Sequence, residues 1–286
     1  MKHVLLPVAL ATVLLTACGG GGDTSRPAVT NSRAQALDCN DYSKISQGAY
    51  IAASVPWGSY GTGQAYTSCV AIGAAGEGTA FEAKWVTPPN QTNLQEVIFG
   101  SKPGYTGSNG VLPKLAKDIT RMLATWRMQL VSSGPASVSI GVWLTDQAVT
   151  TCLTTLCGNR VEIMINLKTQ AWVIADSTNP RVTIDGRDWY MKVGNFGNGL
   201  PNGTFNSTDY GALKPNGSAP LQYRAFFQPV VPEPDQGQVD IKQFVQYLVS
   251  HGLIPSTLHV SDVEFGVESS NSQGEFHVES WLVQVQ

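Results

Sequence analysis

The stretch Val161-Glu162-Ile163-Met164-Ile165-Asn166-Leu167 decides the predicted fold, because its side chains alternate between two chemically different faces. Successive side chains of a β-strand point to opposite sides of a sheet. One face therefore carries only aliphatic groups suited to a sandwich core, and the other carries Glu162, Met164 and Asn166. Burying an unpaired carboxylate is costly, so the second face is expected to meet either solvent or a cleft.

A second stretch, Val263-Glu264-Phe265-Gly266-Val267-Glu268, repeats this pattern. Its apolar side chains share one face, while Glu264 and Glu268 share the other. Glycoside hydrolysis requires two carboxyl groups, one as nucleophile or base and the other as acid. The two stretches are therefore candidates for a catalytic pair, although solvent-facing glutamates on a sheet would show the same pattern.

The remaining sequence from about residue 38 predicts short strands between turns. Predicted strands cover 50–55, 68–72, 79–86, 94–99, 119–131, 137–144, 160–167, 172–175, a hairpin over 181–194, 222–227 and 261–285. Pro88-Pro89-Asn90 is predicted to end one strand. The apolar spacing of Ile241, Phe244, Val245, Leu248 and Val249 predicts one late helix, with Asp240 at its start and Gly252 after its end. The predicted fold class is all-β, with two stacked sheets and one helix.

Composition argues against several kinds of partner. The 286 residues carry a formal net charge of −3 and only 14% charged side chains, so we expect no nucleic-acid partner. The four histidines are scattered and no Cys/His cluster has metal-ligand spacing, so we expect no metal and no other cofactor. All-β domains often reach this length as one unit, and a single monomeric domain is expected.

The N-terminus is predicted to be an export signal. An apolar run over 4–15 is too short to span a bilayer, and Leu15-Thr16-Ala17-Cys18 resembles the lipobox of bacterial lipoproteins, whose cysteine is acylated. The alternative is an ordinary signal peptide with an incidental cysteine.

These features predict a division of the chain into a signal peptide over 1–17, a flexible linker with lipidated Cys18 over 18–37, and a folded domain over 38–286. The expected location is the cell envelope, as an outer-membrane lipoprotein or a secreted protein, with the membrane contacted through the lipid anchor alone.

The other four cysteines are an even number, as expected for disulfides in an oxidising compartment. Four cysteines allow three pairings. The short separation of Cys152 and Cys157 favours their pairing, which leaves Cys39 with Cys69.

Several segments together resemble glycoside hydrolase family 12, the small endoglucanases and xyloglucanases. Three of them are Glu162-Ile163-Met164-Ile165-Asn166, Phe265-Gly266-Val267-Glu268 and the following Val278-Glu279-Ser280-Trp281, and the order and spacing of all the segments carry the resemblance. Further matching segments are Val55-Pro56-Trp57-Gly58 with Cys39 and Cys69 on either side, Val97 to Pro103, Leu112-Pro113 with Thr125-Trp126, the 182–194 hairpin and the helix around 244–248. The resemblance covers nearly all of 38–286.

The resemblance implies a β-jelly-roll whose concave sheet forms a cleft for a β-1,4-glucan chain. It implies a retaining endoglucanase with Glu162 as nucleophile and Glu268, rather than Glu264, as acid/base. Retaining enzymes place the two carboxyl groups about 5–5.5 Å apart. The substrate contacts expected in the cleft are Trp57, Trp85, Trp143, Met164 and Asn166.

Two positions depart from the family pattern. Gly141 stands where the family often has an aspartate that supports the nucleophile, and Asn166 replaces a tryptophan. The main alternative is therefore a catalytically weak or inactive carbohydrate-binding lipoprotein of the same fold. A structural envelope protein and a sandwich hydrolase of another type, such as a xylanase, are the remaining alternatives.

Overall fold

A computed structural model describes residues 36–102, 105–107, 110–145, 160–172, 174–195 and 222–286. In chain order the elements are β1 (Lys44–Gln47), β2 (Tyr50–Val55), β3 (Thr67–Ala74), β4 (Thr79–Lys102), β5 (Tyr105–Thr106), β6 (Lys114–Leu115), β7 (Met122–Ser132), β8 (Ala136–Thr145), β9 (Arg160–Gln170), β10 (Arg181–Ile184), β11 (Arg187–Asn195), β12 (Gln222–Pro229), β13 (Gln236–Asp240), α1 (Ile241–Ser250) and β14 (His259–Val285). The predicted signal peptide, Cys18, Cys152 and Cys157 lie outside the described residues, so the lipid anchor and the second disulfide stay predictions.

Two long strands, β4 and β14, run through both layers of the predicted sandwich. The first half of β14 pairs with the last half of β4, and the last half of β14 pairs with the first half of β4. A single hydrogen-bonded sheet therefore folds over on itself. The inner layer has the order β1-β2-β4-β14-β8-β9-β12-β11-β10, while β3, β7 and β13 complete the outer layer. The expected all-β jelly-roll is confirmed, with its two layers joined through shared strands.

The fold-over occurs at a break in pairing between β4 and β14. Ser270 pairs with Thr92 and Ser272 with Thr87, so residues 88–91 have no partner in β14. Proline lacks the amide hydrogen that a ladder needs, and Asn90 has a φ of 62°, which turns the chain. The prediction that Pro88-Pro89-Asn90 ends a strand was wrong, since β4 bends there and continues into the inner layer.

The core lies between the layers and follows the alternation of the sequence. Val161, Ile163, Ile165 and Leu167 of β9 are fully buried, as are Val263, Phe265 and Val267 of β14. The Phe265 ring in the inner half of β14 stacks on Trp281 in its outer half, with centroids 4.4 Å apart. One strand therefore packs against itself across the core.

Helix α1 lies where the apolar spacing predicts it. The Asp240 carboxylate accepts a hydrogen bond from the Lys242 amide at 3.1 Å, and Gly252 follows the helix with a φ of 68°. Phe244 packs edge-on against Trp189 and Phe227, with both ring centroids 5.0 Å away. The helix thus closes the core at the end of the sheet formed by β11 and β12.

Two other strand predictions need correction. The strand predicted over 172–175 is wrong, because Ala171 takes a φ of 51° and turns the chain after β9. The strand predicted over 119–131 begins at Met122, after a 3₁₀ turn over Ala116–Asp118.

Cys39 and Cys69 form a disulfide bond that ties the N-terminal segment of the domain to β3. Helix α1 has ten residues, which is too short to span a membrane. Among the described residues, no helix is long and apolar enough to do so.

The predicted role of Trp85 in substrate binding is wrong. Trp85 lies in the outer half of β4 on the core-facing side, beside Phe81 and Ala83, and is 1% exposed. Its indole nitrogen donates a hydrogen bond to the Ser272 hydroxyl at 3.0 Å. Trp85 alternates along β4 with the exposed Lys84, and its side chain fills the space between the layers.

Replacing Trp85 by phenylalanine should destabilise the fold by about 2 kcal/mol, since it removes buried volume and the hydrogen bond to Ser272. Denaturant unfolding followed by circular dichroism measures this change. The matched control is Trp57→Phe, at a side chain 56% exposed, which should alter stability by less than about 0.5 kcal/mol. Equal effects of the two substitutions would contradict the core assignment.

Candidate active site

A pocket of about 250 Å³ lies on the concave face of the inner layer. Five neighbouring strands and the loop after β2 supply its walls. The lining residues are Trp57, Leu94, Glu96, Lys102, Ser139, Gly141, Trp143, Glu162, Met164, Arg224, Glu264, Gly266 and Glu268. Both glutamates of the sequence-predicted pair are therefore brought to one pocket.

Strand register alone would keep the two glutamates apart. Glu162 of β9 pairs with Trp143 of β8, whereas Glu268 of β14 pairs with Ser137, six residues further along that strand. The inner sheet curls, as twisted sheets do, and its concave side brings distant positions together. The pair is thus a product of sheet curvature rather than of direct strand neighbours.

Glu162 forms an ion pair through Oε2 with the Nε group of Arg224, its register partner on β12. The glutamate is 8% exposed. Burial raises the pKa of Glu162 to about 7 against the opposing charge of Arg224, and the carboxylates of Glu264 and Glu268 add to the rise. Glu162 is therefore a carboxyl group that titrates near neutral pH.

Glu268 is more accessible than Glu162, being only partly buried. Burial also raises the pKa of its carboxyl, with Arg224 again opposing. The ion pair with Arg224 favours the charged form of Glu162, while burial favours the protonated form of Glu268.

A second group of charges lies beside this pair. The Lys102 ammonium at the end of β4 binds the carboxylates of Glu96, at 2.6 Å, and Glu264. Asp262 is fully buried next to them. Burial alone would lower the pKa of Lys102, but Glu264 and Glu96 raise it well above its ordinary value.

The carboxyl groups around Lys102 respond to the same burial. Burial raises the pKa of Glu96 to about 8, with the charge of Glu264 adding to the effect. It raises the pKa of Asp262 well above its usual range. Burial therefore favours the protonated forms of Glu96 and Asp262 beside the Lys102 ammonium group.

Gly141 gives room to one of these groups. A β-carbon at position 141 would lie 2.9 Å from Oε2 of Glu264 and 3.4 Å from its β-carbon. Gly141 and Glu264 are direct register partners on β8 and β14. The space beside Gly141 is thus occupied by the carboxylate of Glu264.

The structure separates the predicted substrate contacts into two sets. Trp57, Trp143 and Met164 line the pocket, and Trp57 is 56% exposed. Asn166 is fully buried: it accepts a hydrogen bond from the Ser137 hydroxyl and donates one to the Phe227 carbonyl. Its predicted role in contacting substrate was therefore wrong, because its amide braces three strands beneath the cleft.

Three charged residues of the pocket are not predicted from the sequence. Arg224 and Lys102 lie in segments without a distinctive pattern, and Glu96 is a single charged residue within a predicted strand. Glu264 shares one face of its strand with Glu268, and this alternation is the one sequence signal that points to the second charge group. In the described part of the chain, no three His, Cys, Asp or Glu side chains are grouped as a metal site.

No protein-family model and no curated protein sequence matches the chain. Solved structures do. A family 12 xyloglucanase from Bacillus licheniformis matches with a TM-score of 0.69 at 17% identity, over 88% of this chain and 100% of that one. The endoglucanase Cel12A from Rhodothermus marinus gives 0.66 at 16% identity, over 88% of this chain and 99% of that one.

Endoglucanase 3 from Trichoderma harzianum, of the same family, gives a TM-score of 0.63 at 19% identity, over 89% of this chain and 99% of that one. Sequence identities this low support a shared fold, but they do not assign roles to individual residues. The chain has the β-jelly-roll fold seen in the family 12 glycoside hydrolases.

Proposed function

We propose that this protein is a retaining endo-β-glucanase that hydrolyses β-1,4-linked glucan chains by double displacement. The observation that carries the proposal is that Glu162 and Glu268 both line one concave pocket, where Arg224 forms an ion pair with Glu162. This ion pair and the deeper burial of Glu162 give two otherwise similar carboxyl groups different environments, which supports different tasks for them.

In the first step, the charged Glu162 attacks the anomeric carbon and forms a glycosyl ester. Glu268 gives its proton to the glycosidic oxygen, which leaves with the far half of the chain. Arg224 favours the charged form of Glu162 before the attack, and burial favours the protonated form of Glu268.

In the second step, Glu268 is a carboxylate and accepts a proton from an incoming water molecule. The water oxygen attacks the anomeric carbon, the ester bond to Glu162 breaks, and the sugar leaves with its original configuration. The pair then holds one proton again, and both residues return to their starting states.

The pocket supports a sugar polymer as substrate. Trp57 and Trp143 offer aromatic faces, which pack against the apolar faces of pyranose rings, and Met164 adds an adaptable apolar surface. Structures with the same fold are named as a xyloglucanase and as endoglucanases. A β-1,4-glucan backbone, bare or substituted, is therefore the substrate class proposed here.

A reducing-sugar assay on soluble mixed-linkage glucan, xyloglucan and xylan tests the function. We expect release from at least one β-1,4-glucan, and proton NMR of the first product should show the β-anomer because two displacements retain configuration. Glu162→Gln protein prepared in parallel controls for contaminating activity. Binding without release would favour the carbohydrate-binding alternative, while a first product in the α-form would exclude double displacement.

The two carboxyl groups should differ in their dependence on the leaving group. Glu162→Gln should lower kcat at least about 1,000-fold on every substrate, since no other group forms the ester. Glu268→Gln should be comparably damaging on polysaccharide but much milder in ester formation from a dinitrophenyl glycoside, whose leaving group needs no proton.

Pre-steady-state kinetics of dinitrophenol release measures the step that forms the ester. The control is Glu279→Gln, which removes an exposed carboxylate paired with Arg127 and should leave both rates unchanged. Identical responses of the Glu162 and Glu268 variants to leaving-group acidity would refute the assigned roles.

Arg224 should set the acidic limit of activity. Glu162 attacks only when charged, so kcat/KM should fall as pH drops below about 7, where this carboxyl takes up a proton. Arg224→Met removes the charge that opposes this protonation. The acidic limb of the pH profile, where kcat/KM falls, should therefore move to higher pH by about one unit.

The measurement is kcat/KM against pH on a soluble substrate. Arg224→Lys keeps a positive charge and should move the limb less than Arg224→Met. An acidic limb that stays in place in both variants would show that Arg224 does not govern the protonation of Glu162.

A further inference from the structure

Gly141 is an unexpected residue in the middle of a sheet. Its strand, β8, is paired on both sides, with β14 and with β9. Glycine weakens a strand interior, and in such places it usually marks a close approach by another group. The backbone at Gly141 does not adopt the left-handed conformation that would itself require glycine. The reason for glycine must therefore lie in what approaches it.

The approaching group is the carboxylate of Glu264. Its Oε2 atom lies 2.9 Å from where a β-carbon of residue 141 would stand, so the side chain leans across β8 in the direction of β9. Its Oε1 atom is held by Lys102, which is anchored in turn by Glu96 at 2.6 Å. Glu264 is 7% exposed and Glu96 is 1% exposed, so this arrangement is shielded from water. The carboxylate is therefore held in one place.

We propose that Glu264 is a positioning residue for Glu162, and that its negative charge, delivered over Gly141 and held by Lys102, promotes attack by the Glu162 carboxylate. The inference rests on the proposed role of Glu162 as nucleophile. It adds a residue that acts on Glu162 through the electric field at the site.

The physical basis is the loss of charge during attack. Glu162 starts as an anion and becomes a neutral ester, while positive charge builds up on the sugar ring. A fixed negative charge nearby repels the starting anion and attracts the developing cation, so both effects lower the barrier. The charge of Glu264 raises the pKa of Glu162 more than the charge of Glu268 does, a second pocket carboxylate on the same strand.

Several charged groups around Glu162 affect the pKa of its carboxyl group. The groups that face the pocket are Arg224 on β12, Glu264 and Glu268 on β14, and Lys102 and Glu96 on β4, with Asp262 behind them. The pocket residues of β8, which are Ser139, Gly141 and Trp143, carry no titratable group. Removing the charge of Glu264 alone also leaves Lys102 less neutralised, and both changes favour the charged form of Glu162.

The decisive variant is Glu264→Gln, which keeps the shape of the side chain and removes its charge. The pKa of Glu162, followed by carbon NMR of its carboxyl and assigned with Glu162→Gln, should fall by about one unit. The acidic limb of kcat/KM should move to lower pH by the same amount. We expect kcat to fall roughly tenfold with KM changed less than about twofold.

Gly141→Ala provides an independent approach to the same contact. The added methyl group pushes the Glu264 carboxylate away from β9, so the pKa of Glu162 should fall in the same direction but by less. Gly194→Ala is its control, because a β-carbon at that position of β11 meets nothing within 4 Å. Glu279→Gln controls for the loss of one negative charge at an exposed site.

A purely structural role for Glu264, as a partner for Lys102, predicts lower stability without a change in the titration of Glu162. An unchanged NMR midpoint in folded Glu264→Gln protein, equal to that in Glu279→Gln, would overturn the inference. The titration needs no turnover, so it decides this point even if no glucan is hydrolysed. Activity with an unchanged midpoint would reject the role of Glu264 and leave the proposed function in place.

Discussion

The structure depends on the passage of β4 and β14 through both layers of the sandwich. Because side chains alternate along a strand, the burial of Phe265 and Val267 forces Glu264, Gly266 and Glu268 onto the concave face. The stacking of Phe265 on Trp281 then ties that face to the outer layer of the same strand. The position of each acidic side chain in the cleft is therefore set by the hydrophobic core behind it.

Charge balance governs the floor of the cleft. Buried carboxyl groups are costly without partners, and this site supplies two cations, Arg224 for Glu162 and Lys102 for Glu96 and Glu264. More carboxyl groups than cations are buried, so burial raises their pKa values rather than leaving all of them charged. A site with spare protons at neutral pH suits chemistry in which one carboxyl group must be charged while another is protonated.

The sequence predicted those features that depend on local periodicity. Alternation identified the buried face of β9, and the apolar spacing from Ile241 placed helix α1. Prediction from the sequence failed where long-range packing determines the structure. The Pro88-Pro89-Asn90 segment bends a continuous strand, and the Asn166 amide forms hydrogen bonds to two other strands. Trp85 was misassigned although its strand neighbours are core residues.

The cations could not be foreseen, since nothing local distinguishes Arg224 or Lys102 from surface residues until the sheet curls. The role of Gly141 likewise depends on packing between strands that the local sequence does not reveal. Gly141 has no side chain of its own, and the Glu264 carboxylate of the adjacent strand occupies the space beside it. Two positions far apart in sequence thus share one volume, and substitutions at 141 and 264 are expected to be tolerated in pairs rather than singly.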